Sequence, residues 1–142
     1  MLYLANDHAG FKLKQQLIEY LQKLQIDYVD LGTDSENSVD FPVFCKKLIC
    51  EVEKSQDHKG ILICGSGIGM SICANRNPNI RAALCKDVET AILSRQHNDA
   101  NVLILAGRST SALKAKKMLH VFLTTDCLGG KYLTRMQMID QK

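Results

Sequence analysis

Hydrophobic positions along the chain follow two alternating patterns. Short apolar runs bounded by polar or glycine residues occur at Leu2–Ala5, Tyr28–Leu31, Ile61–Cys64, Ile80–Leu84 and Val102–Ala106, and each predicts a buried strand. Between them, apolar residues recur at the three-and-four spacing of a helix with one buried face. Leu13, Leu17, Ile18, Leu21 and Leu24 mark the first such helix, and Val43, Leu48, Ile49 and Val52, opened by Pro42, mark the second. A third runs on from the glycine-rich segment after Cys64 and ends at Asn77 and Pro78; a fourth carries Val88, Ala91 and Ile92 and stops over Gln96 to Asp99. The fifth, near Ser109 to Thr124, buries Ala112, Ala115, Leu119 and Phe122. After Gly129 and Gly130 a last helix, about 131–140, carries Tyr132, Met136 and Ile139 on one face, expected to pack on the core or on another subunit.

Strand and helix alternate with no hairpin signal such as Asn-Gly, which argues for an α/β fold with a parallel sheet covered on both faces. A length of 142 residues, 46% of them hydrophobic, suits a single domain spanning residues 1–142 and is too short for two ordinary ones. The net charge of +3 comes from scattered pairs such as Lys12 and Lys14, Lys46 and Lys47, and Lys116 and Lys117. These spacings suit solvated helix faces, so no nucleic acid partner is expected. The start, MLYLANDHAG, lacks the charged and long apolar regions of a signal peptide, and no window reaches a transmembrane length. The expectation is a cytoplasmic protein with no membrane partner. Six cysteines, at 45, 50, 64, 73, 85 and 127, form no CxxC pair and are expected to stay reduced, all but Cys64 serving as small core residues.

The chemistry concentrates in GILICGSGIGMSICAN, from Gly60 to Asn75. It describes a strand, a loop in which Gly65, Gly67 and Gly69 alternate with Ser66 and Ile68, and a helix N-terminus. Such a loop can turn backbone N–H groups toward one point, where the helix dipole also favours an anion or a developing oxyanion. Cys64 stands at the mouth of this loop. The same field favours a thiolate, which can act as base or nucleophile; the competing reading is an inert core cysteine at a strand end. In a parallel sheet the ligand lies outside the carboxyl ends of the strands, where Asp7, His8, the Cys64 loop and Arg108 would gather. Two phosphate motifs fail. Gly60 and Gly65 have P-loop spacing, but Ser66 and Gly67 stand where Lys and Ser or Thr are required. Met70 occupies the third glycine position of a dinucleotide fingerprint, although Asp87 lies at a tolerable distance for a ribose contact. A nucleotide-binding regulatory module is therefore the weaker, non-enzymatic alternative.

Three separated segments, the NDHAGFKLK start, GILICGSGIGMSICAN and SRQHNDANVL from Ser94 to Leu103, together resemble the ribose-5-phosphate isomerase B family over nearly the whole chain. Related galactose-6-phosphate isomerase subunits share the glycine loop but lack the histidine present here as His97. The resemblance implies a Rossmann-like three-layer sandwich with a mainly parallel sheet of about five strands. It also implies interconversion of ribose 5-phosphate and ribulose 5-phosphate through an enediolate, without metal or cofactor, at sites in the interface of a homodimer or tetramer. Cys64 matches the base, and Gly65, Ser66, Gly67, Ile68 and Gly69 match the loop of backbone donors. Ser66 stands where threonine is frequent and keeps the hydroxyl. His97 matches the residue that assists ring opening, a task suited to an imidazole. Asp7 and His8 match sugar and phosphate contacts, Asn98 a polar contact, and Arg108 and Arg135 phosphate contacts.

Two positions depart from the family pattern. Lys131 stands where arginine is usual and keeps the charge while losing the bidentate fork. Phe41, in VDFP, stands where tyrosine is usual and lacks its hydroxyl. These departures bear on substrate preference, and an isomerase of a six-carbon aldose phosphate, such as galactose or allose 6-phosphate, is the near alternative. Local structure offers competing roles: His97 as a helix C-cap, Asp7 as a cap of the first helix, His58 as an exposed turn residue and His120 as a structural one.

Overall fold

The computed structural model describes residues 1–141. Strands β1 (Leu2–Asn6), β2 (Tyr28–Asp30), β3 (Lys59–Cys64), β4 (Ala82–Leu84) and β5 (Val102–Ala106) form one five-stranded sheet in the order β2-β1-β3-β5-β4, every neighbouring pair parallel. Parallel neighbours force each connection to return from the carboxyl edge of the sheet to its amino edge, and helices make those returns. They are α1 (Phe11–Lys23), α2 (Phe41–Val52), α3 (Ile68–Ala74) and α4 (Val88–Gln96); α5 (Ala112–Thr124) and α6 (Lys131–Asp140) follow β5.

Register sorts the apolar side chains onto two faces. Leu4 pairs with Ile61 and Ile61 with Leu103, and side chains alternate along a strand, so Leu2, Leu4, Ile61, Ile63, Leu103 and Leu105 share one face. That face packs on Leu13, Leu17 and Leu21 of α1 and on Met118, Leu119 and Phe122 of α5. Tyr3, Ala5, Leu62, Cys64, Val102 and Ile104 point the other way, against Cys45, Leu48 and Val52 of α2 and Met70 and Ala74 of α3. The result is a three-layer α/β sandwich. Each fully buried Leu or Ile contributes about 1.5–3 kcal/mol relative to exposure, and this is why the three central strands read so clearly as apolar runs. Among the described residues, no helix is long and apolar enough to cross a membrane.

Several expectations are corrected. β4 begins at Ala82 instead of Ile80, because Ile80 closes a turn with its N–H on the Asn77 carbonyl at 3.1 Å. α5 begins at Ala112, where the Ser111 side chain accepts from the Lys114 N–H at 3.2 Å and caps the helix. Leu24 and Val43 are exposed; Leu24 ends α1 just before Gln25 turns the chain with φ 55°. Cys50 is exposed and Cys73 and Cys127 are half-buried, so only Cys45 and Cys85 join Cys64 in the interior. His58 is half-buried: its Nδ1 lies 2.8 Å from the Glu51 carbonyl and its ring stands edge-on to Tyr3 at 5.2 Å. His120 is exposed. Lys14 is not on a solvated face at all. Its side chain is 1% exposed and its ammonium meets Asp30 and the Thr33 carbonyl.

Candidate active site

The chain leaves β1 toward β2 on one side and returns to β3 on the other, so a crevice opens between β1 and β3 at the carboxyl edge. Cys64 ends β3 beside it, buried, with its carbonyl accepting from the Gly107 N–H at 2.7 Å. The chain then reverses sharply. Gly67 adopts φ 78°, a left-handed conformation costly for any residue with a Cβ, and this brings its N–H to 3.2 Å from the Cys64 Sγ. A Cβ at Gly67 would also lie 2.5 Å from Leu84 Cδ1. Gly69 is needed for a different reason: the Phe41 ring lies so close that a Cβ would come within 2.6 Å of its Cζ. Ser66 is exposed at the loop tip, and its Oγ accepts from the Ile68 N–H at 3.2 Å, which leaves the hydroxyl hydrogen free to donate.

Neighbouring loops complete this cluster. The Asp7 N–H reaches the Ile63 carbonyl at 3.2 Å, and its carboxylate accepts from the Ala9 and Gly10 N–H groups at 3.0 and 3.2 Å, so Asp7 caps the turn that begins α1. The His8 Nδ1 accepts from the Val39 N–H at 3.2 Å. That bond requires a lone pair on Nδ1 and puts the ring hydrogen of the neutral imidazole on Nε2. The Arg108 N–H bonds the Gly65 carbonyl at 3.2 Å, and its guanidinium lies over Gly65, 3.1 Å from where a Cβ would stand. Asp7, His8, the loop from Cys64 to Gly69 and Arg108 therefore sit together. Beside Ser66 a cleft of about 590 Å³ is lined further by Lys86, Thr110 and Lys114. These positions were not singled out from sequence, and their one available signal is that they follow the carboxyl ends of β4 and β5. Beneath the loop, burial and a hydrogen bond with the Cys73 thiol push the Cys45 thiol up from its ordinary pKa; burial does the same to Cys85.

His97, Asn98, Lys131 and Arg135 form a second group elsewhere. α4 runs antiparallel to the strands, so its C-cap, His97, lies at the amino edge, where the nearby Asn101 carbonyl accepts from the Gly60 N–H at 2.9 Å. The His97 ring stacks on Tyr132 of α6 with centroids 4.3 Å apart and planes within 3°. The Asn98 Nδ2 approaches the Met136 Sδ at 3.6 Å, and the Lys131 ammonium lies 5.3 Å from the Tyr132 ring centre. Arg135 is exposed on the same helix. Strands of this length, rising about 3.3 Å per residue, separate the two edges by roughly 15–20 Å. The expected site residues thus fall into two groups at opposite edges of the sheet.

Comparison with known proteins covers nearly the whole chain. The model of the ribose/galactose isomerase family matches residues 2–139. Ribose-5-phosphate isomerase B of Escherichia coli is 37% identical over 133 residues, covering 94% of this chain and 89% of that protein. A ribose 5-phosphate isomerase from Thermotoga maritima superposes with a TM-score of 0.95 at 44% identity, covering 98% of this chain and 96% of that one. A Mycoplasma genitalium ribose-5-phosphate isomerase B with bound ribulose-5-phosphate gives 0.93 at 36% identity, covering 98% and 93%. With its all-parallel sheet and the Cys64 loop at the carboxyl edge, the chain belongs to the ribose/galactose isomerase family of sugar-phosphate isomerases.

Proposed function

We propose that this enzyme interconverts D-ribose 5-phosphate and D-ribulose 5-phosphate through an enediolate, with Cys64 as the base. The observation that carries the reading is the placement of a buried sulfur against the Gly67 N–H of the glycine loop at the β1/β3 crevice. Aldose-to-ketose conversion moves a proton from C2 to C1, and negative charge builds on the adjacent oxygen during the transfer. Cys64 takes and returns the proton, while the Gly65–Gly69 loop and the Ser66 hydroxyl supply donors where that charge develops. Arg108 from this half-site, and Lys131 and Arg135 from the other, provide cations for the phosphate. His97 protonates the ring oxygen as the cyclic sugar opens.

Two half-sites on opposite edges cannot both touch one pentose phosphate within a single chain. The enzyme therefore acts as a homodimer in which His97, Asn98, Lys131 and Arg135 of one copy complete the Cys64 site of the other. Lys131 and the missing Phe41 hydroxyl tune preference within this chemistry.

The test is turnover of ribose 5-phosphate in chelator-treated buffer without added cofactor, followed by mixing two inactive variants. Cys64→Ala and His97→Ala homodimers are each inactive. Equal mixing and subunit exchange makes half the dimers mixed, each with one intact site, so about a quarter of the wild-type activity returns. No recovery in a demonstrably exchanged mixture refutes the shared site. A wild-type enzyme that turns over six-carbon aldose phosphates and ignores ribose 5-phosphate refutes the substrate.

A further inference from the structure

The segment from Gly32 to Asp40 joins β2 to α2, has no regular structure, and runs beside the Cys64 half-site. It is tied down at both ends. At its start, the Lys14 ammonium reaches the Thr33 carbonyl at 2.6 Å and Asp30 Oδ2 at 2.9 Å, while Asp30 Oδ1 accepts from the Gly32 N–H at 2.9 Å. The Thr33 N–H also bonds the carbonyl of Asn6, the residue before Asp7, at 3.3 Å. At its far end the Val39 N–H bonds His8 Nδ1 at 3.2 Å, and the Phe41 ring covers Gly69.

The Lys14 ammonium bonds Asp30 and the Thr33 carbonyl, and an apolar side chain would fill its place with less desolvation cost. Its ammonium does what an apolar group cannot: it joins the end of β2 and the first residues of the loop to α1, the helix that follows directly from His8. The other end of that loop then determines which ring nitrogen of His8 carries hydrogen, because a donor at Nδ1 leaves the hydrogen on Nε2.

We propose that Lys14 is a positioning residue of the isomerase: by anchoring the Gly32–Asp40 loop it holds the Val39 N–H on His8 and so presents His8 Nε2–H as a donor to the substrate. The substrate half of this statement rests on the proposed isomerase function; the tautomer half does not.

The experiment records imidazole ¹⁵N resonances of the substrate-free full-length protein, together with kcat and KM for ribose 5-phosphate. The wild type shows His8 with a bare Nδ1 and a protonated Nε2. In Lys14→Met, which keeps most of the side-chain volume, His8 averages between both tautomers and KM rises about three- to tenfold, the worth of one neutral hydrogen bond. kcat changes less. His8→Ala raises KM by itself, and adding Lys14→Met to it produces no further rise, because the two act through one contact. Should Lys14→Met fail to fold, Val39→Pro removes the donor directly and must give the same tautomer mixture.

An unchanged His8 tautomer in folded Lys14→Met, or in Val39→Pro, overturns the proposal, as does additivity of Lys14→Met with His8→Ala. A wild-type protein inactive on ribose 5-phosphate, whose His8 tautomer still responds to Lys14→Met, refutes the substrate and retains the tie.

Discussion

The ion pair between Lys14 and Asp30 is asymmetric, and the asymmetry predicts unequal costs for removing its two members. The Lys14 side chain is 1% exposed, whereas Asp30 is 33% exposed, with ammonium-to-carboxylate distances of 2.9 and 3.1 Å. Asp30→Asn keeps the shape and the acceptor for the Gly32 N–H but strips the counter-charge from an ammonium that water cannot reach. Leaving a buried charge uncompensated costs about 3–5 kcal/mol. The Asn oxygen and the Thr33 carbonyl still accept from Nζ, which places this variant near the lower figure, about 3 kcal/mol. In Lys14→Met the charge left behind is the carboxylate, which stays hydrated and retains the Gly32 N–H. The remaining loss is the partner of the Thr33 carbonyl, about 1 kcal/mol. At about 4 °C per kcal/mol for a chain of this size, Asp30→Asn melts about 12 °C lower and Lys14→Met about 4 °C lower. The assay is urea unfolding by circular dichroism, with calorimetry for Tm. Equal losses for the two variants, or a loss under about 1 kcal/mol for Asp30→Asn, would refute the argument from burial.

Other expectations follow from the site and its surroundings. Cys64→Ala lowers kcat by about a hundred- to ten-thousandfold while affinity for an unreactive sugar-phosphate analogue changes little, as titration calorimetry will show; turnover within tenfold of wild type means a different base. His97→Ala abolishes turnover of the cyclic sugar while an open-chain substrate is still converted, and equal losses on both, in stopped-flow assays, remove the ring-opening role. Iodoacetamide at pH 8 labels exposed Cys50 first and leaves Cys45 and Cys85 unmodified in the folded protein, because burial raises both thiol pKa values; early labelling of either by mass spectrometry contradicts this. The Asp87 carboxylate is held below its ordinary pKa by the Thr90 backbone N–H and side chain that complete the α4 cap. Its contribution is therefore complete above the unfolded value near 3.8 and lost as pH falls through the lowered native value; Asp87→Asn should lose this part of the acid-side slope.

Much of this molecule was legible in the order of its residues, for identifiable reasons. β1, β3 and β5 are buried on both faces, so nearly every position had to be apolar and their runs stand out. The edge strands β2 and β4 are short and only half-covered, and their limits were correspondingly blurred. The glycine loop after Cys64 was readable because steric need is local: Gly67 requires its left-handed φ, and the crowding at Gly69 leaves no room for a side chain. Lys14 was not readable, since a lysine between Leu13 and Leu17 looks like any solvated helix position until Asp30, 16 residues away, comes to meet it. The same holds for His58, whose ring meets Tyr3 of β1 edge-on only in the folded chain. Cys64 and His97 shared one set of expected site residues, and nothing local to either motif shows which edge of the sheet it occupies. That was decided by the parallel strand order, which sends α4 back to the amino edge and leaves Cys64 at the carboxyl edge. Local sterics and apolar patterning are written residue by residue, whereas the meeting or separation of distant side chains is a property of the assembled sheet.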